Sequence, residues 1–242
     1  MYLTGPQSKH YREQEFEGAP ATANHFDWEL FYRYKDAREQ FWIRRIGEDA
    51  LFRSLVERHF SDFKDSIDRT VDLVAPVNAP SVLDVGLSSE QLDKALIDRA
   101  GADLTILDVQ AEAEGTYRTL FADRGRFVLG DVVSYAASTS RREQYDLVYS
   151  AGLIEHFPDK SDILDAHVRL VRPGGIVLIY VPIDSEENRR ITALAAEWEN
   201  FGYRELMTPA ELSDVCRVPE LEIVASAQVG FFAAVWARKA EP

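Results

Sequence analysis

The spacing of apolar and polar positions changes about a third of the way along the chain. Between residues 31 and 60 apolar side chains recur every three or four positions, as at Leu51 and Leu55. That period is typical of helices that bury one face. The pattern predicts an N-terminal helical extension or lid over residues 1–78, followed by a second domain over residues 79–242.

After Pro80 short apolar runs alternate with amphipathic stretches, a pattern typical of strands that crossover helices join into a parallel sheet. The predicted fold class is α/β, a doubly wound seven-stranded sheet. We predict strands at Ser81–Val85, Asp103–Leu107, Arg126–Leu129, Tyr145–Tyr149, Ile176–Val181, Leu221–Ala225 and Phe231–Ala237. We predict helices at Gln91–Ala100, Ala111–Asp123, Ser161–Val171, Glu186–Phe201, and a short one from Pro209 that Thr208 caps.

Charge and cysteine content narrow the partners and the compartment. The formal net charge of the 242 residues is −14, and no run of lysine and arginine offsets it. Such a surface repels phosphate backbones and anionic lipid, so we expect a small-molecule substrate and neither nucleic acid nor a membrane as partner. Cys216 is the single cysteine, which indicates a reducing compartment. With no signal-like N-terminus or long apolar stretch, we expect a cytoplasmic protein.

Acidic and small residues follow three predicted strands at their carboxyl ends, the edge at which open parallel sheets bind ligands. Asp84 and Gly86 close the first strand, where a glycine lets the backbone approach a ligand. Asp108 closes the second strand about 20 residues later, where an acid meets ribose hydroxyls in nucleotide-binding units; the alternative is a turn residue. Asp131 closes the third and could accept from an adenine amino group while Val132 packs on the ring.

In this order these residues resemble the motifs of the class I S-adenosylmethionine-dependent methyltransferases, over about Ser81 to Arg238. Asp84 and Gly86 match the start of the family's acid-x-Gly-x-Gly loop, which lies against the methionine part of the cofactor. Asp108 matches its ribose-binding acid. Further matches are the fourth-strand segment Tyr145–Phe157, the turn Arg172–Gly175 into the fifth strand, and the helix Thr208–Leu212 before the last two strands.

The resemblance implies a Rossmann-like methyltransferase fold, mostly parallel with an antiparallel last strand, and S-adenosyl-L-methionine as cofactor. Ser88 and Glu90 stand where the family usually has its second and third loop glycines. We expect Ser88 to cap the next helix, with Gln91 as its capping-box partner. The expected cofactor-binding residues are Asp84, Gly86, Leu87, Ser88, Asp108, Val109, Asp131, Val132 and Ser150.

His156 follows the fourth strand near the expected methyl position and is the candidate catalytic base, because imidazole titrates near neutral pH. Glu155 would orient it or help to bind a cation. In many relatives this Glu-His pair shapes the cofactor pocket instead, and that alternative stays open. His167 is expected to be a packing or surface residue, and His59 belongs to an N-terminal group of histidines whose spacing does not suggest a metal site.

Aromatic residues crowd the segment from Phe26 to Trp42. They resemble a lid that encloses the substrate or the sulfonium by cation–π contact. The alternative, which we favour, is that they pack against the helices of the sheet or against a second subunit. The sequence leaves open whether the chain forms a homodimer.

The leading hypothesis is therefore an enzyme that methylates an oxygen or nitrogen of a small molecule. Ser88 and Glu90 favour one alternative, a catalytically inactive, methyltransferase-like binding or regulatory protein. A nicotinamide-dependent oxidoreductase is a further alternative. It fits less well, because a Gly-x-Gly-x-x-Gly loop from Gly86 would need glycines where Ser88 and Gln91 stand.

Overall fold

The computed structural model describes residues 35–122, 124–139, 144–193 and 204–241. These residues form a seven-stranded sheet with helices on both faces, which confirms the predicted α/β class. The strands are β1 Ser81–Val85, β2 Asp103–Asp108, β3 Arg126–Leu129, β4 Tyr145–Ala151, β5 Val171–Pro182, β6 Leu221–Val229 and β7 Phe232–Lys239. The helices are α1 Lys35–Glu48, α2 Ala50–Val74, α3 Glu90–Ala100, α4 Ala111–Phe121, α5 Val132–Ser138, α6 Ser161–Leu170, α7 Glu186–Ala193 and α8 Pro209–Val215, with a 3₁₀ turn at Ile154–His156.

The strand order is β3-β2-β1-β4-β5-β7-β6. Neighbours from β3 to β5 pair in parallel, and β7 runs antiparallel to both β5 and β6, as the resemblance implied. From β1 the chain adds β2 and β3 on one side and then returns to add β4 on the other side, so the strand order reverses beside β1. Ligands of doubly wound sheets bind at such a reversal, at the carboxyl ends of the strands.

Side chains of each strand alternate between two apolar layers. Val82 of β1 packs with α2, α3 and α4 on one face of the sheet. Leu83 and Val85 pack with α5, α6 and α8 on the other face. By the same alternation Asp84 of β1 points toward the α3 side, a placement that becomes important below.

The N-terminal helical segment breaks at Asp49, whose side chain accepts from a backbone N–H three residues later and so begins a new helix. This helix, α2, runs to Val74 and ends just before Pro76. Two buried hydrogen bonds fix α2 to the sheet. The Ser66 and Tyr180 hydroxyls lie 2.5 Å apart, and Trp236 Nε1 donates to Thr70 Oγ1 at 2.9 Å.

Several boundaries differ from the sequence predictions. Helix α5 was not predicted, and its first turn depends on Asp131, whose carboxylate accepts from the Ser134 N–H at 2.9 Å. The predicted turn Arg172–Gly175 lies inside β5 as a bulge, since the pairing of β4 with β5 passes from Tyr145↔Val171 to Leu147↔Ile176. Between these two pairs β5 contains more residues than β4, and the extra residues of β5 form the bulge.

Two predictions fall outside the described residues: the aromatic segment before Lys35, and the second half of the helix predicted to reach Phe201. The side chains of Phe41 and Trp42 are likewise outside what the structure describes. Within the described ranges, no helix combines the length and apolar character that crossing a membrane requires.

Candidate functional site

A cleft of about 460 Å³, a volume that includes space open to solvent, lies at the carboxyl ends of β1, β2 and β3. Its wall is mainly apolar, with two carboxylates. The lining residues are Val85, Gly86, Leu107, Asp108, Val109, Gly130, Asp131, Val132, Leu153 and Phe157. The structure thus brings together the predicted residues Gly86, Asp108, Val109, Asp131 and Val132. We call this space the first cleft.

The loop after β1 carries a backbone that most residues avoid. Gly86 has φ +98°, which favours glycine, and its N–H donates to the Leu107 carbonyl at 2.8 Å. Leu87 has φ +44°, a left-handed conformation that costs a side-chain-bearing residue free energy. The loop is therefore strained at Leu87 and needs other interactions to hold it.

Those interactions come from Asp84 and Ser88. Asp84 is fully buried, and its Oδ2 accepts from the Ser88 N–H at 2.7 Å. The Ser88 hydroxyl donates to the Val85 carbonyl at 2.8 Å. The prediction that Ser88 caps the next helix is wrong. The N-cap is Ser89, whose side chain accepts from the Leu92 N–H at 3.3 Å, because the Ser88 hydroxyl is already used within the loop.

Asp108 lies opposite the Gly86 loop, since β1 and β2 pair with Val85 beside Leu107. Asp108 is 5% exposed, and its Oδ1 accepts from the Gln110 N–H at 2.8 Å. This bond orients the carboxylate at the wall of the cleft and also makes Asp108 a turn residue. The two alternatives for Asp108 are thus compatible.

Asp131 begins α5 and has one oxygen, Oδ1, on the Ser134 N–H. Its other oxygen has no hydrogen-bonding partner among the described residues. Val132 is buried beside it, while Val109 is 46% exposed at the rim. An apolar wall with a free carboxylate oxygen fits an adenine ring and its amino group, and Asp108 fits ribose hydroxyls, so the first cleft fits an adenosyl group.

Four of the remaining predicted residues do not line the first cleft. Asp84 is buried beneath the loop, and Ser150 is buried against α6. His167 Nδ1 lies 2.8 Å from the Ile163 carbonyl, so it donates there, and Ser150 donates to His167 Nε2 at 3.0 Å. Leu87 and Ser88 belong to the loop itself. His167 is a packing residue, and burial lowers its pKa to about 4.

His156 lies in the 3₁₀ turn after β4 and is 2% exposed. Its Nε2 is 3.6 Å from Glu155 Oε1, and it does not line the first cleft. Glu155 is also fully buried, and burial raises its pKa to about 7, an effect that Arg204 and Lys160 partly oppose. This turn precedes Phe157, which does line the cleft, so its conformation shapes that wall.

A second cleft, of about 610 Å³, opens on the other side of the same loop, toward α2. It is lined by His59, Phe60, Phe63, Ser88, Ser89, Glu90, Gln91, Ala151 and Phe232. Glu90 lines this second cleft and pairs with Lys94 on the surface of α3, so it does not fill the first cleft. We keep the names first and second cleft below.

Sequence reasoning missed His59, which is 4% exposed at the second cleft. Its ring stacks on Phe231 with centroids 5.0 Å apart, and its Nδ1 accepts from the Phe231 N–H at 3.3 Å. Burial lowers the pKa of His59 to about 4, so the ring is neutral. The recurrence of His59 and Phe63 at helical spacing was a signal of a buried face, but Phe231, the partner of His59 just before β7, is distant in sequence.

Residues 83–179 of this chain match a protein family described as methyltransferase domain. That stretch runs from β1 into β5 and includes every residue that lines the first cleft.

Two similar proteins are ubiquinone biosynthesis O-methyltransferases. The one from Thiobacillus denitrificans is 29% identical over 195 residues, which cover 73% of this chain and 83% of that protein. The one from Paracidovorax citrulli is 26% identical over 163 residues, which cover 64% of this chain and 68% of that protein.

Solved structures resemble the fold. The N-methyltransferase NodS from Bradyrhizobium japonicum, in complex with S-adenosyl-L-homocysteine, matches with a TM-score of 0.52 and 19% identity, covering 81% of this chain and 91% of that one. An O-methyltransferase family protein from Burkholderia thailandensis matches with a TM-score of 0.53 and 16% identity, covering 88% and 71%.

Proposed function

Because this chain belongs to the class I S-adenosylmethionine-dependent methyltransferases, we propose that it transfers a methyl group to an oxygen or nitrogen of a small molecule. The observation that carries the proposal is the meeting of Gly86 and Asp108 at one cleft, at the strand-order reversal of the sheet. Relatives named as O-methyltransferases favour oxygen. The single cysteine supports a cytoplasmic location.

The first cleft is proposed to hold the adenosyl part of the cofactor. Asp108 would accept hydrogen bonds from the ribose hydroxyls, and Asp131 would accept from the adenine amino group with Val132 against the ring. The backbone at Gly86 would approach the methionine part. When bound, S-adenosylmethionine would supply an electrophilic methyl group: an aligned oxygen or nitrogen forms a bond to the methyl carbon while the carbon–sulfur bond breaks and S-adenosylhomocysteine leaves.

The second cleft is proposed to hold the acceptor. It lies on the other side of the loop that carries Gly86, and Ala151 brings it to the end of β4. Phe60, Phe63 and Phe232 make much of its wall aromatic. Such a wall suits an apolar or aromatic acceptor, held so that its oxygen or nitrogen is aligned for displacement.

His156 is kept as a proposed base for an acceptor that carries a proton. Its burial favours the alternative in which Glu155 and His156 shape the turn beside the first cleft. His156→Gln separates the two roles. A base predicts a lower kcat and a changed pH profile with unchanged cofactor affinity, whereas a shaping role predicts weaker cofactor binding.

Calorimetric titration of the full chain with S-adenosylmethionine and S-adenosylhomocysteine tests the proposal. We expect both to bind, and Asp108→Ala to weaken both by about tenfold or more, since hydrogen bonds to a charged group are lost. The matched control is Asp214→Asn, an exposed acid of α8, which should bind like the parent. Absence of binding by the parent chain would refute the cofactor assignment.

Methyl transfer from labelled cofactor to a panel of hydroxylated aromatic and amine acceptors then tests catalysis. Transfer to an oxygen or nitrogen supports the enzyme. Binding without transfer to any acceptor supports the catalytically inactive alternative, which the departures at Ser88 and Glu90 favour.

A further inference from the structure

A buried cluster of two carboxyl groups and a phenol lies beneath the loop that follows β1. Asp84 of β1 and Tyr149 of β4 are register partners on the same face of the sheet, and Asp93 of α3 lies over them. Relative exposure is 0% for all three residues. The Tyr149 hydroxyl donates to Asp93 Oδ1 at 2.6 Å and also lies 3.5 Å from the Ser89 carbonyl. The cluster therefore touches the loop from below.

One oxygen of each carboxyl group in this cluster has no hydrogen-bond donor within the described part of the chain. Asp84 Oδ2 accepts from the Ser88 N–H, and Asp93 Oδ1 accepts from Tyr149. Asp84 Oδ1 and Asp93 Oδ2 are buried and have no donor among the described residues. The two carboxyl groups lie within hydrogen-bonding reach of each other. Ionised carboxylates only accept, so a proton held between these two oxygens is what satisfies both.

We propose that Asp93 is a positioning residue, a neutral carboxylic acid that donates to the Asp84 carboxylate and through it holds the Ser88 amide and the loop that carries Gly86. The order of donation is Tyr149 to Asp93, Asp93 to Asp84, and Ser88 N–H to Asp84. Every polar atom of the cluster then has a partner. The positioning of the loop does not depend on the proposed function; that this loop then binds the cofactor does.

The surroundings keep the proton on Asp93. Burial and the neighbouring Asp84 raise the pKa of Asp93 well above its usual value, and Glu90 of the same helix raises it further. Burial raises the pKa of Asp84 only to about 6, so Asp84 is the ionised member at neutral pH. From α2, His59 reaches the adjacent second cleft, and burial lowers its pKa to about 4, so it brings no charge.

This cluster has a role in a loop that keeps Gly86 but has Ser88 and Glu90 where two further glycines were expected. Leu87 is in a left-handed conformation, and Ser88 carries a side chain. A backbone in such a conformation persists only when its surroundings hold it. The anchor at the Ser88 amide, kept in place by Asp93, provides that restraint.

Asparagine substitutions test whether the two carboxyl groups share one proton. Asp93→Asn keeps the shape of the neutral acid, since its amide NH₂ can donate to Asp84 while its oxygen accepts from Tyr149. In Asp84→Asn the amide oxygen can accept from the Ser88 N–H while the amide NH₂ donates to Asp93, so we expect this variant to be tolerated as well. In the double variant both amide oxygens are taken by Ser88 and Tyr149, so two NH₂ groups face each other. We expect the double variant to lose far more stability than the two single variants lose in sum.

The first readout is hydrogen exchange of the Ser88 amide in the ligand-free full chain. We expect Asp93→Asn to stay within about threefold of the parent and the double variant to exchange about tenfold faster or more. The control Asp98→Asn changes an exposed acid of the same helix and should match the parent. Exchange in Asp93→Asn as fast as in the double variant overturns the proposal, and so does a double variant that behaves like the parent.

A second readout needs no variant, in case the double variant does not fold. The side-chain carboxyl carbon of Asp93 in the parent chain should show the NMR shift of a neutral acid at about pH 7. A carboxylate shift there overturns the proposal. Titration with S-adenosylhomocysteine is run in parallel. A parent chain that does not bind it refutes the proposed function, while the exchange and carboxyl measurements still decide the role of Asp93.

Discussion

Replacing Glu155 with glutamine should stabilise the protein at alkaline pH. Glu155 is fully buried in the turn after β4, and neither carboxylate oxygen has a hydrogen-bond donor among the described residues. Above its pKa the folded protein therefore contains a poorly compensated buried anion. Glutamine has nearly the same shape and never ionises, so the variant avoids that cost.

The magnitude follows from the pKa of Glu155, which burial raises from 4.5 to about 7. Between these values the folded protein keeps a proton that the unfolded chain has lost, so the unfolding free energy of the parent falls as the pH rises through this window. The difference between the two pKa values corresponds to about 3 kcal/mol of unfolding free energy once Glu155 is fully ionised. The glutamine variant should match the parent near pH 4.5 and exceed its unfolding free energy by about 3 kcal/mol above pH 7.

Urea unfolding at about pH 4.5 and about pH 8.5 measures this difference. The matched control is Glu222→Gln, which changes an exposed acid of β6 and should alter the unfolding free energy by about 0.5 kcal/mol or less at either pH. The reasoning is refuted if Glu155→Gln is less stable than the parent at the alkaline pH. That result would mean that the folded protein stabilises the Glu155 carboxylate.

Four further substitutions test the loop, two other glycines and a helix cap. Gly86→Ala and Gly101→Ala both put a side chain at positive φ, +98° and +66°, and should each lower the unfolding free energy in urea by about 1–2 kcal/mol. Calorimetry should show weaker cofactor binding only for Gly86→Ala. Equal cofactor affinities of the two variants would mean that Gly86 is not part of the site. Gly230→Ala would place a Cβ 2.2 Å from His59 Nδ1, so we expect a loss of about 3 kcal/mol, and a thermal midpoint like that of the parent would contradict this packing. Thr208→Ala removes a complete capping box and should cost about 1 kcal/mol in urea unfolding; no loss would mean that the cap contributes nothing.

The sequence alone determined the strands and the acids at their ends. Apolar runs between amphipathic stretches located β1 and β3 with the bounds that the structure shows. Because parallel strands present their carboxyl ends at one edge, the positions of Gly86, Asp108 and Asp131 in the chain were enough to predict that they meet. The helix at Pro209 was equally local, since Thr208 and the acid three residues later form its cap.

Tertiary structure alone decided which side chains face a cleft and which are held beneath it. Ser150 follows the strand pattern, yet it is turned to His167 of α6, and Asp93 reads as one more acid on a helix until α3 packs it onto β1 and β4. His59 reaches the second cleft through a partner 172 positions away. The physical reason is that strand and helix periods are local, whereas burial, hydrogen-bond partners and pKa values depend on residues that folding brings together from distant parts of the chain.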